Sequence, residues 1–241
     1  GLMAGTVKDG LMAGNVKYGF LAGAVKDGML AGTVEDGWVA GLVSAAEDFG
    51  ADVVGGPVHP CFSADVDANR TSHPVFWPAY DRTGPVPMIY GSGNCLIRRS
   101  LFARLGQPPF DPRFNFLGGG DTDFFCRAKR AGASFYWVQE AMITETVPDN
   151  RTELRWILTR GRRIGAINRA LDLKVATGLR GRVKVMAKDA IIAALSPIRS
   201  AKLLVSTRNP IAALHPIMVA IGRLASATGH EPEQYRAKAP R

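Results

Sequence analysis

Apolar residues recur at helical spacing from Trp38 through Val39, Leu42, Val43 and Ala46, which predicts a helix over 38–49 that Gly50 ends. Residues 52–58 form a short apolar run that reads as a buried strand leading into a proline-rich loop. Residues 88–90 read as another strand, and a second apolar run at 95–97 follows Gly91-Ser92-Gly93-Asn94. Ser100 stands where it can cap a helix over 101–105 that Gly106 stops. Further on, Phe124, Phe125, Ala128 and Ala131 share one face of a helix that Asp121 can cap and Gly132 ends, with Arg127, Lys129 and Arg130 on its solvent side. Residues 133–138 and 141–146 read as strands. Asn150, with Glu153 three residues on, forms a capping box for a helix carrying Leu154, Ile157, Leu158, Gly161 and Ile164 on one side. Residues 178–226 are helical by pattern, but Pro197, Pro210 and Pro216 predict a break into short helices, and no run of about 18 uninterrupted apolar residues suggests a membrane span. Strands and helices interleave, so the fold class is α/β.

Residues 1–36 follow a different rule. They repeat every nine residues (GLMAGTVKD, GLMAGNVKY, GFLAGAVKD, GMLAGTVED), and a fifth copy, GWVAGLVSA, merges into the first helix. Nine residues at 100° each put successive copies on opposite sides of a helix, and an odd period alternates the faces of a strand as well. Two glycines per copy cost a helix roughly 1 kcal/mol each relative to alanine. The repeat therefore predicts a weakly ordered extension, and the regular aspartates and paired glycines of calcium-binding nonapeptides are absent.

Charge divides the chain more sharply than hydropathy does. Residues 1–150 carry 12 Lys and Arg against 16 Asp and Glu, whereas residues 151–241 carry 18 against 5, so the net +9 is a property of the C-terminal part. Nucleic acid, an anionic membrane surface and a solvated helical surface all fit such a patch. Apolar runs between the basic residues, such as AIIAAL from Ala190, favour a basic amphipathic surface lying on a membrane, with no nucleic-acid partner. No secretory signal pattern opens the chain, and Cys61, Cys95 and Cys126 are odd in number and far apart, which predicts reduced thiols in a cytoplasmic setting. His59, Cys61 and His73 lack the close-spaced pairs of a zinc site, and Asp65 and Asp67 read as a solvated loop.

The densest chemical signal is FDPRFNFLGGGDTDFFCRAKRAGA from Phe110. Gly118, Gly119 and Gly120 let backbone approach a ligand closely, and Asp121 at the loop-to-helix junction reads equally as a helix cap or as a general base. Together with GADVVGGPV from Gly50, GSGNCLIRRSLF from Gly91 and VPDNRTELRWILTRGRRIG from Val147, this segment resembles the second half of the family 2 glycosyltransferases, inverting nucleotide-sugar-dependent enzymes of the GT-A (Rossmann-like) fold. The chain is also similar to bacterial exopolysaccharide glucosyltransferases of the succinoglycan type. In that family the glycine-rich segment usually ends in Glu-Asp with the Asp as catalytic base; here the Glu position is Gly120 and the Asp position is Asp121.

The resemblance implies three parts: the repeat extension at 1–36, a partial GT-A domain at 37–165 and a basic helical tail at 166–241. It implies Asp121 as the base, with Gly118, Gly119, Gly120, Asp123, Asn94, Arg155 and Trp156 around the substrate. Arg155-Trp156 matches the end of a Gln-x-x-Arg-Trp motif in which Thr152 replaces the Gln, and the Trp156 ring suits either a sugar or the core. Arg160, Arg162 and Arg163 are phosphate-binding candidates, since guanidinium forks match phosphate. A divalent metal, Mg or Mn, is implied, but its Asp-x-Asp ligands belong to a donor-binding half expected upstream and not found here. The implied partners are a nucleotide-sugar donor, a saccharide or lipid-linked acceptor and an anionic membrane surface, at the cytoplasmic inner face of the plasma membrane. A non-catalytic acceptor-side fragment that binds membrane or a partner is the alternative.

Overall fold

Alternate residues of each central strand serve opposite faces of one sheet. The computed structural model describes residues 18–22, 25–26, 29–30, 37–114 and 117–229. In chain order the described elements are β1 (Tyr18–Ala22), β2 (Val25–Lys26), β3 (Met29–Leu30), α1 (Trp38–Asp48), β4 (Val53–Gly55), β5 (Val58–Cys61), α2 (Ala68–Thr71), β6 (Gly84–Pro85), β7 (Asn94–Arg98), α3 (Arg99–Leu105), α4 (Gly120–Arg130), β8 (Phe135–Trp137), β9 (Ile143–Thr146), α5 (Asp149–Thr152), α6 (Leu154–Val175), α7 (Gly178–Thr207), α8 (Pro210–Ala213) and α9 (His215–Ala227). They form two compact units. The first draws on Gly1–Cys61, Pro78–Asn115 and Gly119–Thr146, and the second on Phe62–Trp77, Phe116–Gly118 and Val147–Arg241.

The first unit is α/β. Its five-stranded sheet has the order β1-β7-β4-β8-β6, with β4 parallel to β8 and the other pairs antiparallel. On one face Val53, Cys95, Ile97, Phe135 and Trp137 pack with Leu101 of α3 and with Phe124, Phe125 and Ala128 of α4. On the other, Val54, Leu96 and Tyr136 pack with Leu42, Ala45 and Ala46 of α1. Period-two alternation thus sends helices to both faces. Most of the nonapeptide repeat, expected to be weakly ordered, lies outside the described residues; β1 falls inside it and pairs with β7 in antiparallel register, Tyr18 opposite Arg98 and Ala22 opposite Asn94. An uncovered β7 edge would leave a row of backbone groups unpaired, and any extended segment can satisfy them without an apolar face. Residues 88–90 depart from the predicted strand: Met88 and Ile89 are buried but outside any ladder.

The second unit is helical. The capping box at Asn150 and Glu153 does not form, because Pro148 starts the single turn α5 and Glu153 is the extended residue before α6. Helix α6 runs through the expected boundary at 165/166, where Gly165 meets the α9 backbone and Gly161, one turn earlier, meets the Met218 side chain. A Cβ on Gly165 would lie 2.1 Å from the Val219 carbonyl oxygen, and one on Gly222 would lie 1.8 Å from that of Arg162. Only glycine permits this approach.

Buried charges complete the bundle. Arg223 of α9 donates to Asp189 of α7 at 2.6 Å and to Asp172 of α6 at 2.7 Å, while Arg169 reaches Asp189 at 2.9 Å and Lys188 reaches Asp172 at 2.8 Å. Burial raises the Asp172 pKa, but the hydrogen bonds from Lys188 and Arg223 outweigh it and leave the carboxyl below its usual range. The expectation of short helices fails at Pro197, which sits inside the 30-residue α7. Two stretches, Gly178–Thr207 and Pro210–Ala227, are long and apolar enough to cross a membrane by length and composition, each with a mean hydropathy of 1.3.

Candidate active site

Helix α4 begins after two glycines in the left-handed region, Gly118 at φ 83° and Gly119 at φ 85°, where a side chain would be strained. Gly119 is the N-cap, so Asp121 is not the cap that the sequence allows; it lies within the first turn. Its Oδ1 accepts the Thr122 N–H at 2.7 Å and the Thr122 hydroxyl at 3.4 Å, and its Oδ2 accepts the Ser92 N–H at 3.3 Å. A Cβ on Gly91 would stand 4.0 Å from the same Oδ2. A half-buried carboxylate thus faces the Gly91-Ser92-Gly93 loop, at a helix N-terminus whose dipole favours negative charge.

The helix beneath is rigid. Phe124, Phe125 and Ala128 are wholly buried, and Arg127 donates to Asp123 at 2.9 Å and to the Pro109 carbonyl. This corrects the substrate-side reading of Asp123, whose carboxylate is 0% exposed and tied to Arg127 four residues on. Asn94 is also a structural residue. Its Nδ2 donates to the Pro57 and Ala141 carbonyls at 3.1 and 2.7 Å, and its Oδ1 accepts the Trp38 Nε1–H at 2.8 Å. It therefore pins the end of the glycine loop, and a Cβ on Gly56 would run into both Ala141 and the Asn94 amide. Below the loop, burial and then the Asp121 charge push the Cys95 thiol well up, so it stays protonated.

At Gly120, where the resembled family carries Glu, a Cβ would meet, among the described residues, the Phe114 Cβ at 3.8 Å, an ordinary contact. Sequence reasoning passes over one residue of interest here, Tyr90, which is 55% exposed immediately before the glycine loop. Its ring leans on Tyr80 at 6.1 Å, and the Tyr80 hydroxyl donates to the Met88 carbonyl at 2.6 Å. Burial and the neighbouring Tyr90 raise the Tyr80 pKa to about 12, so it remains neutral. The available signal was an aromatic residue flanking GSGN.

The remaining candidates lie on α6 in the second unit. Trp156 stacks flat on Phe76, 5.9 Å away and 8° from parallel, so one ring face is taken by the core. Arg155 and Arg162 are exposed, Arg160 is half-buried and Arg163 is buried at 2% exposure, which removes Arg163 from the set that can meet a phosphate at the surface. His73 is buried with its ring edge on His215 at 5.2 Å, and burial followed by the His215 charge lowers its pKa to about 4. Among the described residues no three His, Cys, Asp or Glu side chains are grouped to hold a metal ion. With Asp123 committed to Arg127, the donor set around Asp121 does not fit the divalent ion that the resemblance implies.

No family model matches the chain. It is similar to the succinoglycan biosynthesis protein ExoM of Rhizobium meliloti (strain 1021), 34% identical over 146 residues, a stretch that is 58% of this chain and 45% of that protein. The chain spans less than half the length of this relative.

Proposed function

We propose that this chain carries the acceptor-side part of an inverting, family 2 glycosyltransferase of the GT-A type, which moves a sugar from a nucleotide-sugar donor to a saccharide or lipid-linked acceptor in exopolysaccharide assembly. The observation that carries the reading is the Asp121 carboxylate, half-exposed on a rigid first turn and held by backbone N–H groups from Ser92 and Thr122. The similarity to a succinoglycan biosynthesis protein supplies the pathway class.

In this reading an acceptor hydroxyl enters over the Gly91-Ser92-Gly93 loop and gives its proton to Asp121 as its oxygen attacks the anomeric carbon. The bond from that carbon to the diphosphate oxygen breaks on the opposite face, so the sugar inverts and the nucleoside diphosphate leaves. The consecutive positive-φ glycines, Gly118 and Gly119, hold the backbone clear of the incoming sugar. Tyr90 offers an exposed ring on which an acceptor sugar stacks. Donor contacts and the divalent ion come from residues other than those described here, and no step is routed through them.

The test is transfer from radiolabelled UDP-sugars to exopolysaccharide-type acceptors by this chain joined to a nucleotide-binding half, with the anomeric configuration of the product read by NMR; the chain alone should show weak or no transfer. Inversion that depends on Asp121 is the expected result, and a retained configuration overturns the reading. Loss of transfer in the joined protein on Asp121→Asn separates it from the non-catalytic alternative, in which Asp121 has no part in transfer.

A further inference from the structure

Helix α7 is inside out for a protein in water. The buried residues of the stripe it turns into the helical unit are Val185, Asp189, Ser196 and Ser200, with half-buried Ile192 and Leu203 beside them and Asp189 bound to Arg169 and Arg223. Its outward side is the apolar one. On a helix turning about 100° per residue, Leu179, Val183, Met186, Ile191, Ile198 and Val205 share an arc of about 140°, whose one charged residue is Arg180 in the first turn, where its long side chain can reach up to the headgroups. All six are exposed, with Leu179 at 79%, Ile198 at 66% and Val205 at 80%. The basic residues Lys184, Lys188, Arg199 and Lys202 follow along one flank of that arc. Helix α9 repeats the inversion, burying Arg223 and Ser226 while Ile221 and Leu224 face outward.

We infer that α7 is a monotopic membrane anchor that lies in the plane of an anionic bilayer surface, with this apolar arc in the acyl region and the lysine and arginine flank among the headgroup phosphates. Two observations select a lipid surface over a protein partner. The apolar arc extends along the whole 30-residue helix, about 45 Å at 1.5 Å per residue, rather than forming one anchor patch. The flanking charges are all basic, matching anionic headgroups.

The placement of the charges favours the in-plane orientation over a span. The stretch of α7 apolar enough to cross, residues 190–207, carries Arg199 and Lys202 in its second half and is preceded directly by Lys188 and Asp189. Asp189 is moreover locked to α6 and α9.

The test uses the full chain with vesicles of pure phosphatidylcholine and of phosphatidylcholine with phosphatidylglycerol. Cosedimentation should be at least about tenfold stronger on the anionic vesicles at 0.1 M salt and should fall at 1 M, where the Debye length shrinks from about 10 to about 3 Å. A salt-resistant remainder belongs to the apolar arc. The triple variant Val183→Glu, Ile191→Glu, Ile198→Glu changes only exposed positions to a good helix former, so the circular dichroism should be unchanged. It should lose that remainder, a fall of at least about tenfold. Binding by the variant equal to that of the parent overturns the proposal.

Depth is read separately. In a Cys61→Ser background, an environment-sensitive dye on cysteines placed singly at 183, 191 and 198 should be quenched equally by shallow lipid-borne quenchers. Quenching that deepens steadily along the helix indicates a span and overturns the in-plane geometry. Sedimentation velocity without lipid covers the other occupant: a dimer that the triple variant dissociates, with vesicle binding unchanged, assigns the face to a second copy and overturns the proposal.

Discussion

Asp121 and Asp123 stand two residues apart in the first turn of α4, and the structure gives them opposite roles. Asp123→Asn keeps size and shape but removes a charge that is 0% exposed and hydrogen-bonded to Arg127 at 2.9 Å. Removing one partner of a buried pair costs about 3–5 kcal/mol. The Arg127 side chain is 19% exposed and keeps its bond to the Pro109 carbonyl, which places the expected loss near the lower end, about 3 kcal/mol. Asp121→Asn is different. The carboxylate is half-exposed, and an asparagine oxygen can still accept the short Thr122 bond at 2.7 Å, leaving mainly the 3.3 Å bond from Ser92 at risk. That is a loss of about 1 kcal/mol at most. For catalysis the order reverses: Asp121→Asn removes the base and should lower turnover about 10²-fold or more, while folded Asp123→Asn should stay within a few-fold of the parent.

Both effects can be measured on the same samples. Hydrogen exchange of the α4 amides reports the local free energy even where the two units unfold separately, and sugar transfer is normalised to the folded fraction. A double variant, Asp123→Asn with Arg127→Met, should recover part of the lost stability, because replacing both members of a buried pair is far cheaper than removing one. If Asp121→Asn proves as destabilising as Asp123→Asn while leaving turnover intact, Asp121 is a structural residue and the base is elsewhere.

Three further outcomes follow from the same geometry. His73 has a folded pKa of about 4 against an ordinary 6.5, so its contribution is intact above about pH 6.5 and is lost as pH falls from 6.5 towards 4, about 3 kcal/mol in all; His73→Asn keeps an acceptor for the Val75 N–H and should flatten that slope in thermal melts, and an unchanged slope refutes it. Arg223→Met should destabilise the helical unit by about 3–5 kcal/mol in urea, and since Asp172 is held below its ordinary 3.8, the gap to the parent should narrow as pH falls through that lowered value. Tyr90→Ala should raise the acceptor KM about five- to tenfold with kcat nearly unchanged, whereas Tyr90→Phe should not, as stacking contributes about 0.5–1.5 kcal/mol.

Where the sequence pattern reports burial, it reads this protein well. The apolar faces at Leu42, Ala45 and Ala46 and at Phe124, Phe125 and Ala128 produce α1 and α4 close to their expected bounds, and the two-residue alternation in 53–54, 95–97 and 135–137 divides the two layers of the core. Hydrogen-bond partners are another matter. Met88 and Ile89 are as apolar as a strand and are buried like one, yet their backbone enters no ladder. Asn94 looks like a loop residue beside a glycine turn, and only the folded chain shows its side chain satisfied by Trp38, Pro57 and Ala141. Asp123 did carry a readable signal, the four-residue spacing to Arg127, which outweighs its closeness to Asp121.

The unbroken α7 shows why local rules fail in the helical unit. A proline inside a helix costs about 3 kcal/mol through its lost hydrogen bond and ring clash. At Pro197 that cost is set against the burial of Val185, Asp189, Ser196 and Ser200 along one stripe, with Asp189 clamped to α6 and α9 eight residues before the proline. The chain therefore keeps one long helix, and in doing so it keeps the outward arc continuous from Leu179 to Val205. The polar residues that look misplaced in an apolar sequence, Asp189, Ser196 and Ser200, are what orient the apolar ones outward.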